Sequence, residues 1–274
     1  MEFYAAEKSE EIGGWERWHD WQATVMKPVT DWYVRATHAT PGQSILDAAC
    51  GSGLPALALA ERVGPTGKVV ATDVSLKMLA ATRRKAAASG LANVETREAH
   101  AAALGGPDAA FDAVTCKDGL MFCPDVAAAL GELHRVVKPG GRYAFSVWAE
   151  PDANQAFARM FGVLAPFMPG PPPPPDAPGP FRLAAPGTLE RLIRAAGFDD
   201  VHVEHVAITF AWDSAAHHFQ SMSEMAAPLE RLLATLSGDD RARLERAFAD
   251  AFAPYTSSAG IRIPGLQICA SGTR

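Results

Sequence analysis

Short apolar runs separated by segments of helical periodicity occupy the middle of the chain. Runs near 44–49, 68–73, 93–98, 111–116 and 142–148 read as strands, and 54–63, 75–89 and 125–137 between them carry helical spacing. Strand–helix alternation of this kind implies right-handed crossovers and a largely parallel sheet. Further apolar runs near 201–210 and 261–270 add a sixth and a final strand. Between those two lies a helical stretch, Ala215 to Ala253, too long for an ordinary connection and expected to be an inserted lid. The expected fold class is α/β: a seven-stranded, mostly parallel sheet flanked by helices, with N-terminal helices and a helical insertion before the last strand.

Two segments outside this alternation have their own patterns. Trp15, Trp18, Trp21 and Val25 recur at three- and four-residue spacing, which predicts one aromatic helical stripe interrupted near Pro28. It serves either as a helix packed on the core or as an aromatic cover for a ligand. From Pro166 to Pro180 the chain is too rich in proline for helix or sheet interior, so an extended, polyproline-II-like surface loop is expected. Phe161, Phe167, Met168 and Phe181 flank it and would tie its ends to an apolar surface.

The most specific chemistry sits where the first strand ends. Ser44-Ile45-Leu46-Asp47-Ala48-Ala49-Cys50-Gly51-Ser52-Gly53-Leu54-Pro55 runs from an apolar strand through an acid to two glycines. Glycine lacks a Cβ, so Gly51 and Gly53 would let backbone N–H groups approach a ligand closely. Asp73, twenty residues after Gly53, closes the second strand, where a carboxylate accepts hydrogen bonds from ribose hydroxyls. Gly51 to Ala56 also satisfies the dinucleotide fingerprint. Against a dinucleotide, Asp47 would repel a pyrophosphate but attract an ammonium group, and Pro55 removes a donor that a pyrophosphate would use.

With these residues the chain resembles the class I, Rossmann-like S-adenosylmethionine-dependent methyltransferases. Among them it is similar to the small-molecule type of ubiquinone and menaquinone biosynthesis. The resemblance covers roughly residues 40 to 205. It rests on Leu46 to Gly53, Ala71-Thr72-Asp73-Val74-Ser75, Phe111 to Cys116, and Leu133-His134-Arg135-Val136-Val137-Lys138-Pro139-Gly140-Gly141-Arg142. The chain departs from the usual pattern at Ala49, commonly glycine, and at Glu98-Ala99-His100, more often Asp-Ala-Glu. The resemblance implies S-adenosyl-L-methionine as cofactor, held by Asp47, Ala49, Gly51, Gly53, Asp73, Val74, Glu98, Ala99, Cys116 and Lys117. The expected layout is an N-terminal helical cap over 1–40, a cofactor-binding core over 41–210 with the proline-rich loop at 166–180, a lid over 211–260, and the final strand over 261–274.

Methyl transfer to a small, largely apolar acceptor, at oxygen or carbon in preference to nitrogen, is the expected activity. A sulfonium is an excellent leaving group, so positioning and desolvation supply much of the catalysis and no catalytic motif is required. His217 and His218, in the expected lid, are the candidate bases. Trp18, Trp21, Phe122, Trp148 and Phe219 are the candidate acceptor-lining residues. The segment Cys116 to Phe122 lacks the Asn/Asp-Pro-Pro-aromatic motif that aligns planar amino groups in related methyltransferases. Asp118, Asp152 and Asn154 have poor spacing for a magnesium site, and no metal is expected. A cofactor-binding scaffold or rearrangement catalyst and a nicotinamide-dependent oxidoreductase are the competing readings.

Composition narrows the remaining classes. The chain has 274 residues, 48% of them hydrophobic, enough for one domain with a sizeable core. A formal charge of −6 with acids and bases intermixed argues against nucleic acid. Cys50, Cys116, Cys123 and Cys269 show neither zinc nor secreted-disulfide spacing and read as small buried hydrophobes. With no leader pattern and no run long enough to span a bilayer, a cytoplasmic protein with a small-molecule substrate is expected, and a homo-oligomer is allowed.

Overall fold

Alternating side chains on the central strands sort the core into two apolar clusters, one on each face of a sheet. Ile45, Val69, Ala71 and Ala113 join one cluster, and Leu46, Ala48, Val70, Val114 and Cys116 join the other. The computed structural model describes residues 13–168, 174 and 176–274. Residues 1–12 of the expected cap, and 169–173 and 175 of the expected proline-rich loop, lie outside the described residues.

The strands are β1 (Ser44–Ala48), β2 (Lys68–Asp73), β3 (Val94–Glu98), β4 (Phe111–Lys117), β5 (Val137–Trp148), β6 (Asp199–Trp212), β7 (Thr256–Ser257) and β8 (Gly260–Thr273). Their order is β3-β2-β1-β4-β5-β8-β6, with β7 paired to β8. The first five are mutually parallel, and β8 enters antiparallel between β5 and β6. The expected seven strands are present, and the two-residue β7 makes an eighth. The Lys138-Pro139-Gly140-Gly141 turn is a bulge at the foot of β5, where pairing jumps from Phe111–Val137 to Ala113–Arg142.

Helices α1 (Gly13–Arg17), α2 (His19–Val25) and α3 (Lys27–Ala36) precede the sheet. The expected single aromatic stripe is broken at Trp18, and α3 begins with Pro28 in its first turn, where no N–H is missed. Trp15 is exposed, whereas α3 is a core element whose Trp32 and Tyr33 are fully buried. Next come α4 (Leu54–Val63), α5 (Leu76–Ala88), α6 (Val126–Val136), α7 (Gln155–Leu164) and α8 (Thr188–Ala195). Ser75 and Asp125 cap α5 and α6 by accepting the N–H groups of Met78 and Ala128.

β6 and β8 continue past the end of β5. Trp148, the last residue of β5, pairs with Gln267, and beyond it β6 and β8 remain paired as far as Trp212–Ile261. This two-stranded arm projects from the edge that carries the carboxyl ends of the parallel strands. The expected insertion is three helices, α9 (Ala215–Met225), α10 (Ala227–Leu233) and α11 (Gly238–Phe252), placed at the tip of the arm. Among the described residues, no helix is long and apolar enough to cross a membrane.

Candidate active site

β1 and β2 end side by side, and the chain leaves β1 through a turn that only a few backbone conformations allow. Ala49, Gly51 and Gly53 all have positive φ, at 52°, 54° and 93°. A Cβ on Gly53 would lie 3.0 Å from the Thr82 side chain of α5, a tight contact added to the left-handed conformation that favours glycine here. A Cβ on Gly51 would have no atom within 4 Å, so this glycine faces open space. Gly53 caps α4, and Pro55 sits in its first turn.

Asp73 braces the turn. Its Oδ2 accepts the Gly51 N–H at 2.9 Å and its Oδ1 accepts the Ser75 N–H at 2.9 Å. Burial pushes its carboxyl above the usual value, opposed by hydrogen bonds from the Ser75, Gly51 and Val74 backbone. A carboxylate oxygen accommodates a second donor, so both retain capacity for ligand hydroxyls. Ala99 donates its N–H to the Asp73 carbonyl at 3.2 Å, Val74 is half-buried, and Glu98 pairs with Asp73 at the exposed end of β3.

Asp47 is fully buried beneath the turn. Thr115 on β4 donates to its Oδ1 at 2.7 Å, while its Oδ2 has no partner. Burial is the main force that raises its carboxyl to about 7; the Thr115 hydrogen bond, Lys117 and the Ala56 backbone pull it down, and Asp73 pushes it up. An orphaned, buried carboxylate oxygen is costly unless a donor completes it, and a ligand ammonium has the matching chemistry.

The end of β4 carries a polar cluster that crosses four elements. Lys117 Nζ donates to Asp118 Oδ2 at 2.7 Å, with side-chain exposures of 15% and 14%. Gln267 on β8 donates to both Asp118 oxygens at 2.9 Å, and Ser146 on β5 donates to Oδ1 at 3.1 Å. Tyr33 on α3 places its hydroxyl 3.0 Å from the Cys116 carbonyl and 2.9 Å from Ser146 Oγ. Asp118 itself has φ 55°, unusual for a residue with a Cβ. Cys116 is fully buried, and burial pushes its thiol well above the ordinary value.

The N-terminal helices lie across this end of the sheet. His19 on α2 reaches Ser52 of the glycine turn at 3.0 Å, and burial holds its imidazole down to about 4. Arg84 on α5 donates twice to Glu16 on α1, at 2.7 and 2.5 Å. On the other side, Trp18 Nε1 and Arg17 donate to Glu224 of α9 at 2.7 and 2.8 Å. One short segment therefore bridges the glycine turn and the inserted helices.

The arm carries an aromatic cluster in which Trp148, Phe210 and Trp212 are buried and Trp21 and Phe157 half-buried. Trp21 donates to the Ala211 carbonyl at 2.5 Å and stacks on Trp212 and Phe210 with centroids 5.0 and 6.4 Å apart. Trp148 packs on Phe210 and Phe157, so Trp21 and Trp148 share one aromatic plate. Phe122 is half-buried in the 3-10 turn after β4, on which Gly179 docks through Met121 O. Phe219 lies farther out, against Phe248 of α11. His217 is half-exposed, 3.5 Å from Asp213 and with its ring 5.0 Å from Trp18. His218 is enclosed by Trp212, Phe248 and Phe252, both ring nitrogens unpartnered, and burial drives its imidazole down to about 3.

The structure thus gathers Asp47, Ala49, Gly51, Gly53, Asp73, Val74, Glu98, Ala99, Cys116 and Lys117 around the ends of four adjacent parallel strands. It places His217, His218 and Phe219 together on α9, among the inserted helices. Asn154 is spent on the backbone of Ala149 and Leu266, and among the described residues no group of His, Cys, Asp or Glu is arranged to hold a metal. Tyr33, Ser146, Gln267, His19 and Glu224 carry no motif. The partners named above lie 28 to 207 residues away in sequence, and only folding discloses them.

Comparison with known proteins agrees with this geometry. Residues 45–141 match the family described as a methyltransferase domain. The demethylmenaquinone methyltransferases of Symbiobacterium thermophilum and Lactococcus lactis are 39% and 37% identical over 158 and 154 residues. Those alignments cover 57% and 55% of this chain, and the chain spans 59% and 58% of the length of those relatives. The YcgJ protein of Bacillus subtilis superposes with a TM-score of 0.60 at 17% identity, covering 89% of this chain and 97% of that one, a likeness of fold. Over residues 45–141 the chain is similar to a methyltransferase domain, carried on a Rossmann-like α/β fold.

Proposed function

We propose that the chain binds S-adenosyl-L-methionine and transfers its methyl group to a small, largely apolar organic acceptor, at oxygen or carbon. The observation that carries this reading is the pair of carboxylates at the ends of β1 and β2. Asp47 presents an unpartnered buried oxygen suited to an ammonium, and Asp73 keeps acceptor capacity suited to vicinal ribose hydroxyls. The open space over Gly51 leaves room for the ligand's chain between them. Demethylmenaquinone, the substrate in the names of the aligned relatives, is an apolar aromatic, and acceptors of that kind suit the Trp21–Trp148 plate.

When bound, the cofactor supplies an electrophilic sulfonium methyl. The chain supplies the rest. Asp47 and Asp73 orient the two ends of the cofactor, the glycine turn admits it, and the aromatic plate excludes water from the acceptor. His217, half-exposed and oriented toward Asp213, is the histidine available to take a proton from an acidic acceptor. His218 is enclosed and held neutral, which suits packing better than proton transfer.

The test is mass spectrometry of reactions with isotope-labelled cofactor and a panel of phenols, quinols and polyketides, alongside calorimetry with S-adenosylhomocysteine. Label transferred to an acceptor supports the reading. Cofactor binding without transfer to any acceptor would favour a scaffold or a rearrangement catalyst. A change in reduced-nicotinamide fluorescence without S-adenosylhomocysteine binding would point to an oxidoreductase.

A further inference from the structure

Lys117 and Asp118 form a mostly buried ion pair at the end of β4, and their hydrogen bonds are unequally used. The Asp118 carboxylate offers about four lone-pair sites, and donors from Lys117, Ser146 and Gln267 fill them. The Lys117 ammonium has three N–H donors, and among the described residues its hydrogen-bond partner is Asp118. Donors therefore remain on the lysine, while the carboxylate is saturated. Lys117 follows Cys116, which pairs with Ala48 at the end of β1, so the lysine stands at the strand end beside the glycine turn.

A buried ion pair contributes little to stability by itself, because desolvation offsets the attraction. This one is held with Asp118 in the left-handed region, and conformational strain of that kind persists where the surroundings impose it. The three-element brace fits a need to hold the ammonium in place. It also fits the charge balance of the crevice. A bare ammonium beside a sulfonium would be repelled, and a carboxylate on the ammonium cancels most of that repulsion.

Building on the methyltransferase reading, we propose that Lys117 donates a hydrogen bond to an oxygen of the acceptor, a phenolic or enolic hydroxyl, and that Asp118, braced by Gln267 and Ser146, is the positioning residue that holds the ammonium for it. Gln267, which holds Asp118, pairs with Trp148, so the pair supplies a polar fixed point beside the aromatic cluster and selects which atom of a flat apolar acceptor faces the cofactor. Lys117 then serves the acceptor and not the carboxylate of the cofactor. For the cofactor carboxylate, a lysine free of Asp118 would bind better.

The probes are a naphthol and its methyl ether, titrated by tryptophan fluorescence into the full chain with and without saturating S-adenosylhomocysteine. The naphthol is expected to bind about tenfold more tightly than the ether, and Lys117→Met to reduce that preference to about twofold. Absorbance of the bound naphtholate gives a second readout with opposite signs for the two residues. Lys117→Met should raise the pKa of the bound naphthol, and Asp118→Asn, which leaves the ammonium uncompensated, should lower it further. A merely structural pair would move neither. Equal affinity for naphthol and ether overturns the proposal, as does failure of both to bind. A Lys117→Met variant that loses S-adenosylhomocysteine but keeps the naphthol preference assigns the lysine to the cofactor and overturns it too. If the wild-type chain does not bind S-adenosylhomocysteine, the methyltransferase reading fails, while the naphthol preference measured without it still decides the role of Lys117.

Discussion

Gly119 lies directly against Ala49: a Cβ on Gly119 would sit 2.5 Å from the Ala49 methyl. The turns that end β4 and β1 approach this closely because one of them lacks a side chain. Gly119 has φ −97°, which alanine adopts without strain, so the cost of Gly119→Ala is purely contact. That variant should lose about 1–3 kcal/mol of stability by overpacking. Ala49→Gly in the same chain should recover part of the loss, the remainder being the clash with Cys116 Sγ at 2.8 Å. Urea unfolding of the two single variants and the double variant checks it, and strict additivity would show that the turns do not press on each other.

The two glycines of the β1 turn should respond differently. Gly53→Ala meets Thr82 and should lower stability. At Gly51 an added Cβ meets only open space, so the left-handed backbone is the main folding cost of Gly51→Val, at least about 1–2 kcal/mol. Its side chain would fill the region proposed for the ligand. Gly51→Val is therefore expected to stay folded and lose S-adenosylhomocysteine binding by calorimetry. Normal binding by a folded Gly51→Val chain would remove the turn from the site.

Asp73 is best probed by Asp73→Asn, which keeps the shape of the side chain. Removing the charge from a carboxylate that accepts hydroxyl donors should weaken S-adenosylhomocysteine by about 1.5–3 kcal/mol, roughly ten- to hundredfold in the dissociation constant. Thermal unfolding of the unliganded variant measures the separate loss of the brace on Gly51 and Ser75. Unchanged affinity in the folded variant would exclude Asp73 from ligand binding.

Burial raises the Asp47 carboxyl to about 7, well above its value in an unfolded chain. Between those two values the folded chain holds a proton that the unfolded chain has released, so this group makes stability fall as pH rises through that window. A cation placed against its free oxygen favours the ionised form, so ligand binding expels the proton below pH 7. Affinity for S-adenosylhomocysteine should therefore rise by up to about tenfold per pH unit on the acid side and level off above it. Asp47→Asn should flatten this dependence. Calorimetry in two buffers of different ionisation enthalpy counts the proton, and a zero count at about pH 6 would refute the role.

His218 works in the opposite direction. Burial among aromatic rings lowers its imidazole to about 3, below its unfolded value, so the unfolded chain takes up a proton first as pH falls. Stability is then lost as pH drops through the unfolded value toward 3. His218→Phe should remove this slope and raise the melting temperature at about pH 5 more than at neutral pH, while methyl transfer persists. Loss of transfer with unchanged folding would return His218 to the chemistry.

The sequence by itself determined the sheet and the cofactor turn, because both are local. Short apolar runs and helical spacing place the central strands and helices within a few residues of their observed ends, and Asp47, Gly51, Gly53 and Asp73 lie on one strand–turn–helix–strand unit. Strand Lys68–Asp73 returns parallel beside Ser44–Ala48 because the intervening helix leaves no other compact route. What the tertiary structure decided is everything that depends on distant segments meeting. Lys117-Asp118, Ser146, Gln267 and Tyr33 come from four separate stretches, and no spacing along the chain encodes their meeting. The same holds for the break at Trp18, the core position of Trp32 and Tyr33, and the enclosure of His218. A helical stripe states that one face is apolar, but only packing decides whether that face meets the core, a neighbouring helix or a ligand, because the hydrophobic effect is non-directional.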